Sequence, residues 1–541
     1  MSVSERALAE LVERLQAELE PLSRQANEAY WQLNVTGEER WQEETARLST
    51  ELRTVLSRPE PYRLLQEAVA DGDGLDPLLQ RQALLLRNAH APNQIPPETI
   101  ERIVRMETAL ESRFNSFRGE LDGERVGDNR IREILERSDD LDLRRRAWEA
   151  SKQIGVEVAA QLRELVEERN RVARHLGWPT YYSMMLELDE LDEGEVLGVL
   201  DRVVEGSQAA WDAYKGRLDE RQAARFGIAV EELRPWHYAD PFFQEAPAAD
   251  VDLDRWFQGS SVEELVTAYF DAVGFDVRPI LARSDLYERP GKCQHAFCMD
   301  IDRAGDIRVL ANVRPTEYWV GTMLHELGHA VYDAGIDPSL PYFLRTHAHL
   351  IVTEGSAMLF GRLSRSGAWL ARYAGMPERE AREADELLGA ARRAQLLHLA
   401  RWVPVMVRFE RELYRDPRQD LNTVWWDLVE RLQGVRRPDD RVAGGPHADW
   451  AAKIHLSVSP AYYQNYLLGE MTASQLQRAL LALLGDGGDA WERYVASPEV
   501  ARFLDARVFR AGRSVDWRTA VAAATGRPLD PAPFLAELGA V

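Results

Sequence analysis

Helical periodicity runs through almost the whole of this 541-residue chain, and one segment breaks it. Apolar residues recur three and four apart over about 3–33, then from Thr36-x-x-Glu39 to about 57, and over 61–91, 97–120, 128–137, 139–177 and 190–226. Ser2-x-x-Glu5 and Ser261-x-x-Glu264 read as capping boxes, the second opening a helix over 262–274. Pro179 marks a break after Gly177. Further helices are expected at about 315–335, 347–374, 377–414, 419–434 and 460–485, with short ones to the end. The interruption is 294–313, where two β-prone runs flank a turn at Arg303-Ala304-Gly305-Asp306. That is the pattern of an antiparallel hairpin. The expected class is therefore mainly α with one small β hairpin.

Composition is globular, with 45% hydrophobic and 29% charged residues. We read 1–541 as a single helical unit, with 1–228 mostly an N-terminal lobe and 251–541 a second lobe. The stretch 229–250, rich in Pro, Ala, Asp and Trp, connects them. A net charge of −23 repels nucleic acid and anionic membrane surfaces, so neither is expected as a partner. No stretch is apolar enough to span a bilayer. Cys293 and Cys298, at an offset of five, fall on opposite faces of a strand, which argues against a disulfide. The first residues read as a charged helix start rather than a signal sequence, and the expected location is cytoplasmic. Subunit number is not legible.

The sharpest chemical signal is His325-Glu326-Leu327-Gly328-His329, inside the helix expected directly after the hairpin. Residues i and i+4 share a helix face, so two imidazoles at that spacing can bind one metal. Glu326 lies at the edge of the same face, placed as a general base beside the ion rather than on it. Leu324, Leu327, Gly328 and Ala330 make the surroundings apolar or small, and buried imidazoles need partners. Gly328 is costly inside a helix and implies a close approach there. Glu354, after the apolar run Leu350-Ile351-Val352, is the expected third ligand; His347, His349 and Asp333 are its rivals. One Zn(2+) ion is the expected cofactor, with His325, His329 and Glu354 holding it. Asp333 has a second reading, as a hydrogen-bond partner of a ligating histidine.

Eight of the eleven histidines lie between 295 and 455. The hairpin has two readings, a small packing sheet or an edge strand that takes up a bound peptide. Downstream, His455 and Tyr462-Tyr463-Gln464-Asn465-Tyr466 combine hydrogen-bond donors with apolar rings. Such donors, aimed at a carbonyl oxygen, strengthen as it becomes negative.

His-Glu-x-x-His with a glutamate about 25 residues on resembles the gluzincin peptidases. More closely, it is similar to the angiotensin-converting enzyme family of peptidyl-dipeptidases and to the thimet oligopeptidase and oligoendopeptidase F family. The likeness extends to Ala26-Asn27-Glu28-Ala29-Tyr30-Trp31-Gln32-Leu33-Asn34, to 167–178, and to Leu286-Tyr287-Glu288-Arg289-Pro290 with His295-Ala296-Phe297. It implies a large two-lobed helical body around a deep central cleft. It also implies Glu326 as base, Tyr466 and His455 as stabilisers of the tetrahedral intermediate, and His295 and Ala296 as strand contacts to substrate. Lys453 and Tyr463 would hold a peptide C-terminal carboxylate. Departures are Asp240 near the place of a carboxylate-binding glutamine, Met358 in place of an acid, and a slightly altered interval from His455 to Tyr466. The expected activity is a zinc metallopeptidase acting on short oligopeptides, by internal cleavage or C-terminal dipeptide release. Alternatives are a zinc carboxypeptidase of the carboxypeptidase Taq type and a non-catalytic zinc or peptide-binding protein.

Overall fold

The computed structural model describes residues 3–70, 74–247, 251–485 and 488–539. The fold is mainly α, with two small antiparallel sheets of two strands each among the described residues. Ser2 of the first capping box lies outside those residues. The chain divides into two compact units that interleave in sequence. One comprises Met1–Gln94, Asp250–Leu388 and Leu468–Phe534; the other comprises Ile95–Ala249, Gly389–Leu467 and Leu535–Val541. The segment 1–228 thus supplies residues to both.

Most expected helices form close to their expected bounds, and the exceptions have local causes. The expected helix 61–91 is two helices, Pro59–Ala70 and Pro77–His90. Asp76 caps the second by accepting from the Leu78 and Leu79 N–H groups at 3.0 Å, with Pro77 at the first helical position. The helix expected to 120 stops at Ser116, and a second hairpin follows, Gly119–Leu121 with Glu124–Val126. Its turn is Asp122-Gly123, both at positive φ (55° and 84°), the pair that matches strand twist. The span 190–226 breaks at Ser207 into Glu193–Gly206 and Gln208–Phe226. The Ser207 hydroxyl donates to Val203 O at 2.6 Å, and buried Arg401 donates to Ser207 Oγ and Val204 O. These bonds satisfy the helix-end carbonyls and stop its continuation. In 347–374, His349 is extended and caps Leu350–Gly361 through Nδ1, which accepts from the Ile351 N–H at 3.1 Å. A short 3₁₀ turn and the helix Gly367–Tyr373 follow.

In the first unit, the helix Val3–Thr36 packs with its neighbours through Leu8, Leu11, Leu15, Leu65 and Leu86, all buried. Its far end covers the expected hairpin, whose strands are Phe297–Asp300 and Ile307–Leu310. Trp31 meets Phe297 edge-on, Asn27 donates to Ile301 O at 3.0 Å, and Glu28 pairs with Arg308 at 3.0 Å. The hairpin rests on the helix Glu317–Gly335, capped by Thr316. That helix buries Val320, Leu324, Leu327 and Val331, and it packs closely on Leu350–Gly361. Each such side chain contributes about 1.5–3 kcal/mol on burial. In the second unit, Leu141–His175 is the central helix, burying Trp148, Ile154, Val158, Leu162 and Leu165.

Close approach of Glu317–Gly335 to Leu350–Gly361 depends on missing side chains. A Cβ on Gly328 would lie 2.7 Å from Phe360 Cδ2 and 2.8 Å from Ala357 Cα, and one on Gly321 would lie 2.8 Å from Ser364 Oγ. A methyl at Gly328 gains about 1 kcal/mol in helix propensity. Forcing apart the backbone of a packed helix costs about 1–3 kcal/mol. Gly328→Ala should therefore lower Tm; a thermal melt in which Tm is unchanged or raised would contradict the close-packing account.

Candidate metal centre and carboxylate site

The helix pair brings three donors to one point. His325 and His329 project from one face of Glu317–Gly335, and Glu354 from the first turns of Leu350–Gly361. Their ligand atoms all lie within 4.8 Å of one another. Nε2 of His325 is 3.2 Å from Nε2 of His329, and Glu354 Oε2 is 3.6 and 3.9 Å from the two. Thr353 Oγ1 lies 2.7 Å from His329 Nδ1. With the ring proton on Nδ1, that bond leaves Nε2 its lone pair facing the centre. The rival ligands lie elsewhere: His349 caps its helix, and Asp333 stands 3.8 Å from His347.

Burial sets the charge state of the centre. It pushes His325 down to about 4, opposed by Glu470, and His329 well below its usual range, helped by its histidine neighbours. Both rings are therefore neutral near pH 7. Burial raises Glu354 to about 7, with Glu470 adding repulsion, and raises Glu326 to about 8, with Glu354 adding repulsion. The backbone N–H of Cys298 opposes the rise at Glu326 by bonding to its carboxylate. Two imidazole lone pairs and crowded carboxylates aimed at one point repel one another unless a cation joins them. Two nitrogens and one carboxylate oxygen are also the donor set of a three-ligand zinc site with an open position. The residues fit a zinc ion.

Cys298 belongs to Phe297–Asp300, whose partner strand Ile307–Leu310 is bridged on its other side by Asp285. The outer strand thus turns its remaining edge toward Glu326. His295 and Ala296 directly precede it, with His295 exposed. Sequence reasoning missed Thr353, although it adjoins Glu354, and missed Glu470. Glu470 pairs with Arg362 and is the acid that bears on both His325 and Glu354. Nothing near the motif announces it.

In the second unit, Lys453 is a half-buried cation among rings. Its Nζ lies 5.0, 5.3 and 6.0 Å from the ring centres of Phe242, Trp402 and Tyr463. Gln244 Oε1 accepts from it at 2.6 Å. Burial lowers Lys453 to about 8, against the pull of Asp240 and Glu245. Asp240, which looked like the intruding acid, has another task. Its Oδ1 accepts from the Phe242 and Gln244 N–H groups at 2.7 and 3.1 Å, shaping the turn that presents Gln244. Phe243 within that turn has φ 53°, and Gln433 donates to Phe243 O at 2.8 Å. The His455 ring is 4.9 Å from Tyr463, and Tyr466 is 5.4 Å from Tyr463. Burial, with Lys453 adding repulsion, pushes His455 down to about 4, so it is a neutral ring rather than an imidazolium.

The family model for angiotensin-converting enzyme matches residues 257–537, just over half of the chain, including the whole His-Glu helix, Glu354, Lys453, His455 and Tyr466. The chain belongs to the angiotensin-converting enzyme family. No curated protein matches it. Membership makes the chain a metallopeptidase, and the family implies zinc as its metal. Among the described residues, no helix is long and apolar enough to cross a membrane.

Metal retention tests the centre. Glu354→Ala and His325→Ala should each abolish stoichiometric zinc, measured by elemental analysis after dialysis. Thr353→Val should weaken zinc affinity about 10- to 100-fold by releasing His329. Full zinc in Glu354→Ala would remove Glu354 from the ligand set.

Proposed function

We propose that this family member is a zinc peptidase that releases dipeptides from the free C-termini of short peptides. Lys453 with Gln244 carries the reading: a desolvated cation and an amide, walled by aromatic rings, form a receptor for a carboxylate. This favours C-terminal release over internal cleavage and restores the glutamine that the sequence lacked at Asp240.

His325, His329 and Glu354 would hold the ion, which when bound supplies Lewis acidity and makes water easier to ionise. Glu326 takes the proton from the attacking water and passes it to the leaving amine. The strand Phe297–Asp300, with His295 and Ala296 ahead of it, pairs with the extended peptide backbone. Tyr466 and neutral His455 donate to the oxygen that gains charge. Lys453, Gln244 and Tyr463 hold the terminal carboxylate.

Glu326→Gln should keep its zinc and lose about 10²–10⁴-fold in kcat; near-normal turnover would remove Glu326 from the proton path. Amidating the C-terminus of a short peptide should cut kcat/KM sharply, and mass analysis of the free peptide should show dipeptides leaving. Single residues would indicate a carboxypeptidase, and equal cleavage of the amide an internal cutter.

Lys453 also sets a pH dependence. Its charge is present below about 8 and lost above it. KM for a free-carboxylate peptide should rise as pH passes through 8, while KM for the amide stays level. Parallel curves for the two would contradict the role of Lys453.

A further inference from the structure

The segment that carries Lys453, His455, Tyr463 and Tyr466 is built largely of irregular backbone. It contains the four-residue helix His455–Val458, then Ser459-Pro460, then Ala461 at φ 56°. A non-glycine residue in that left-handed region is strained and persists only where its surroundings hold it. Two buried ionisable side chains do the holding. Arg169, in Leu141–His175 and 1% exposed, donates to Ser457 O at 2.6 Å and reaches Leu456 O at 3.5 Å. Glu107 and the Tyr414 hydroxyl fix the same guanidinium at 2.6 and 3.0 Å. Glu410, in Glu378–Arg415 and 2% exposed, accepts from the Ala461 N–H at 2.9 Å.

The two contacts fall on either side of Ser459-Pro460 and grip opposite kinds of backbone group. Arg169 takes carbonyls on the His455 side; Glu410 takes an N–H on the Tyr463 side. We propose that Arg169 and Glu410 are positioning residues, a two-point clamp that sets His455 against Tyr463 and fixes the geometry of the segment they share. Neither touches substrate. The functional consequence rests on the proposed roles of His455 and Tyr463; the mechanical one does not.

The alternative is that both are incidental core residues, and energetics argue against it. A buried acid is expensive, and a leucine would fill similar volume at lower cost. Burial raises Glu410 to about 8, so near neutral pH it is largely the uncharged acid, still able to accept from Ala461. Glutamine keeps that acceptor in the same shape; leucine removes it and leaves a strained N–H unsatisfied.

The test uses full-length, zinc-loaded Glu410→Gln, Glu410→Leu and Arg169→Lys. Amide hydrogen exchange is measured over 455–463, with kcat and KM on one peptide bearing a free carboxylate. Glu410→Leu should raise exchange at Ala461 and lower kcat/KM about 100-fold, the scale of a misplaced contact group. Glu410→Gln should restore both. Arg169→Lys keeps the charge but loses the fork, and should raise exchange at His455–Val458. This variant decides the matter alone if Glu410→Leu does not fold. Unchanged exchange in Arg169→Lys, or glutamine as damaging as leucine, would overturn the clamp. A wild-type protein without peptidase activity would instead sink the proposed function, while the exchange data would still decide the clamp.

Discussion

The contact between Glu317–Gly335 and Leu350–Gly361 is the constraint on which the metal centre rests. Two helices can place three donors around one point only if their axes come close, and close axes exclude side chains at the crossing. Gly328 and Gly321 leave that room, and Gly361 keeps the space beside the His325 Cβ clear. The glycine inside the motif is therefore part of the ligand geometry, although it binds nothing. The same closeness buries the donors, and burial keeps both imidazoles neutral and drives the carboxyls toward protonation. The pocket is thus arranged at an electrostatic cost that a divalent cation offsets.

The second unit uses desolvation differently. Lys453 sits among rings with one amide oxygen as hydrogen-bond partner, while Asp240 and Glu245 attract its charge. A partly desolvated cation binds a carboxylate more strongly than a fully solvated one does. The turn that brings Gln244 to it stores strain at Phe243, and the segment that carries Lys453 stores strain at Ala461. Strain at both places is held by buried polar groups, Asp240 and Gln433 in one case, Glu410 in the other.

Much of this was legible in the sequence, and the failures are local. Helical class, the hairpin at 294–313 and the His-Glu helix follow from periodicity and spacing. The apolar run before Glu354 marked that acid among several rivals, and the fold brings it beside the two rings. The breaks at Ser207 and after Gly361 were not legible, because Arg401 and Asp385, far along the chain, satisfy the freed backbone groups of Val204 and Gly367. The Asp122-Gly123 hairpin was legible but was overridden by the helical run before it. Gln244 was missed because a turn with a positive-φ phenylalanine shifts which side chain reaches Lys453. Glu470 meets the metal centre only through helix packing, which no local pattern encodes.

The central claim is that the two rings and the distant acid share one ion. Anomalous diffraction at the zinc edge from crystals of the purified protein tests it most directly. The account predicts one strong peak per chain within bonding distance of His325 Nε2, His329 Nε2 and a Glu354 oxygen. A peak elsewhere, or one at the histidines with Glu354 turned away, would contradict it.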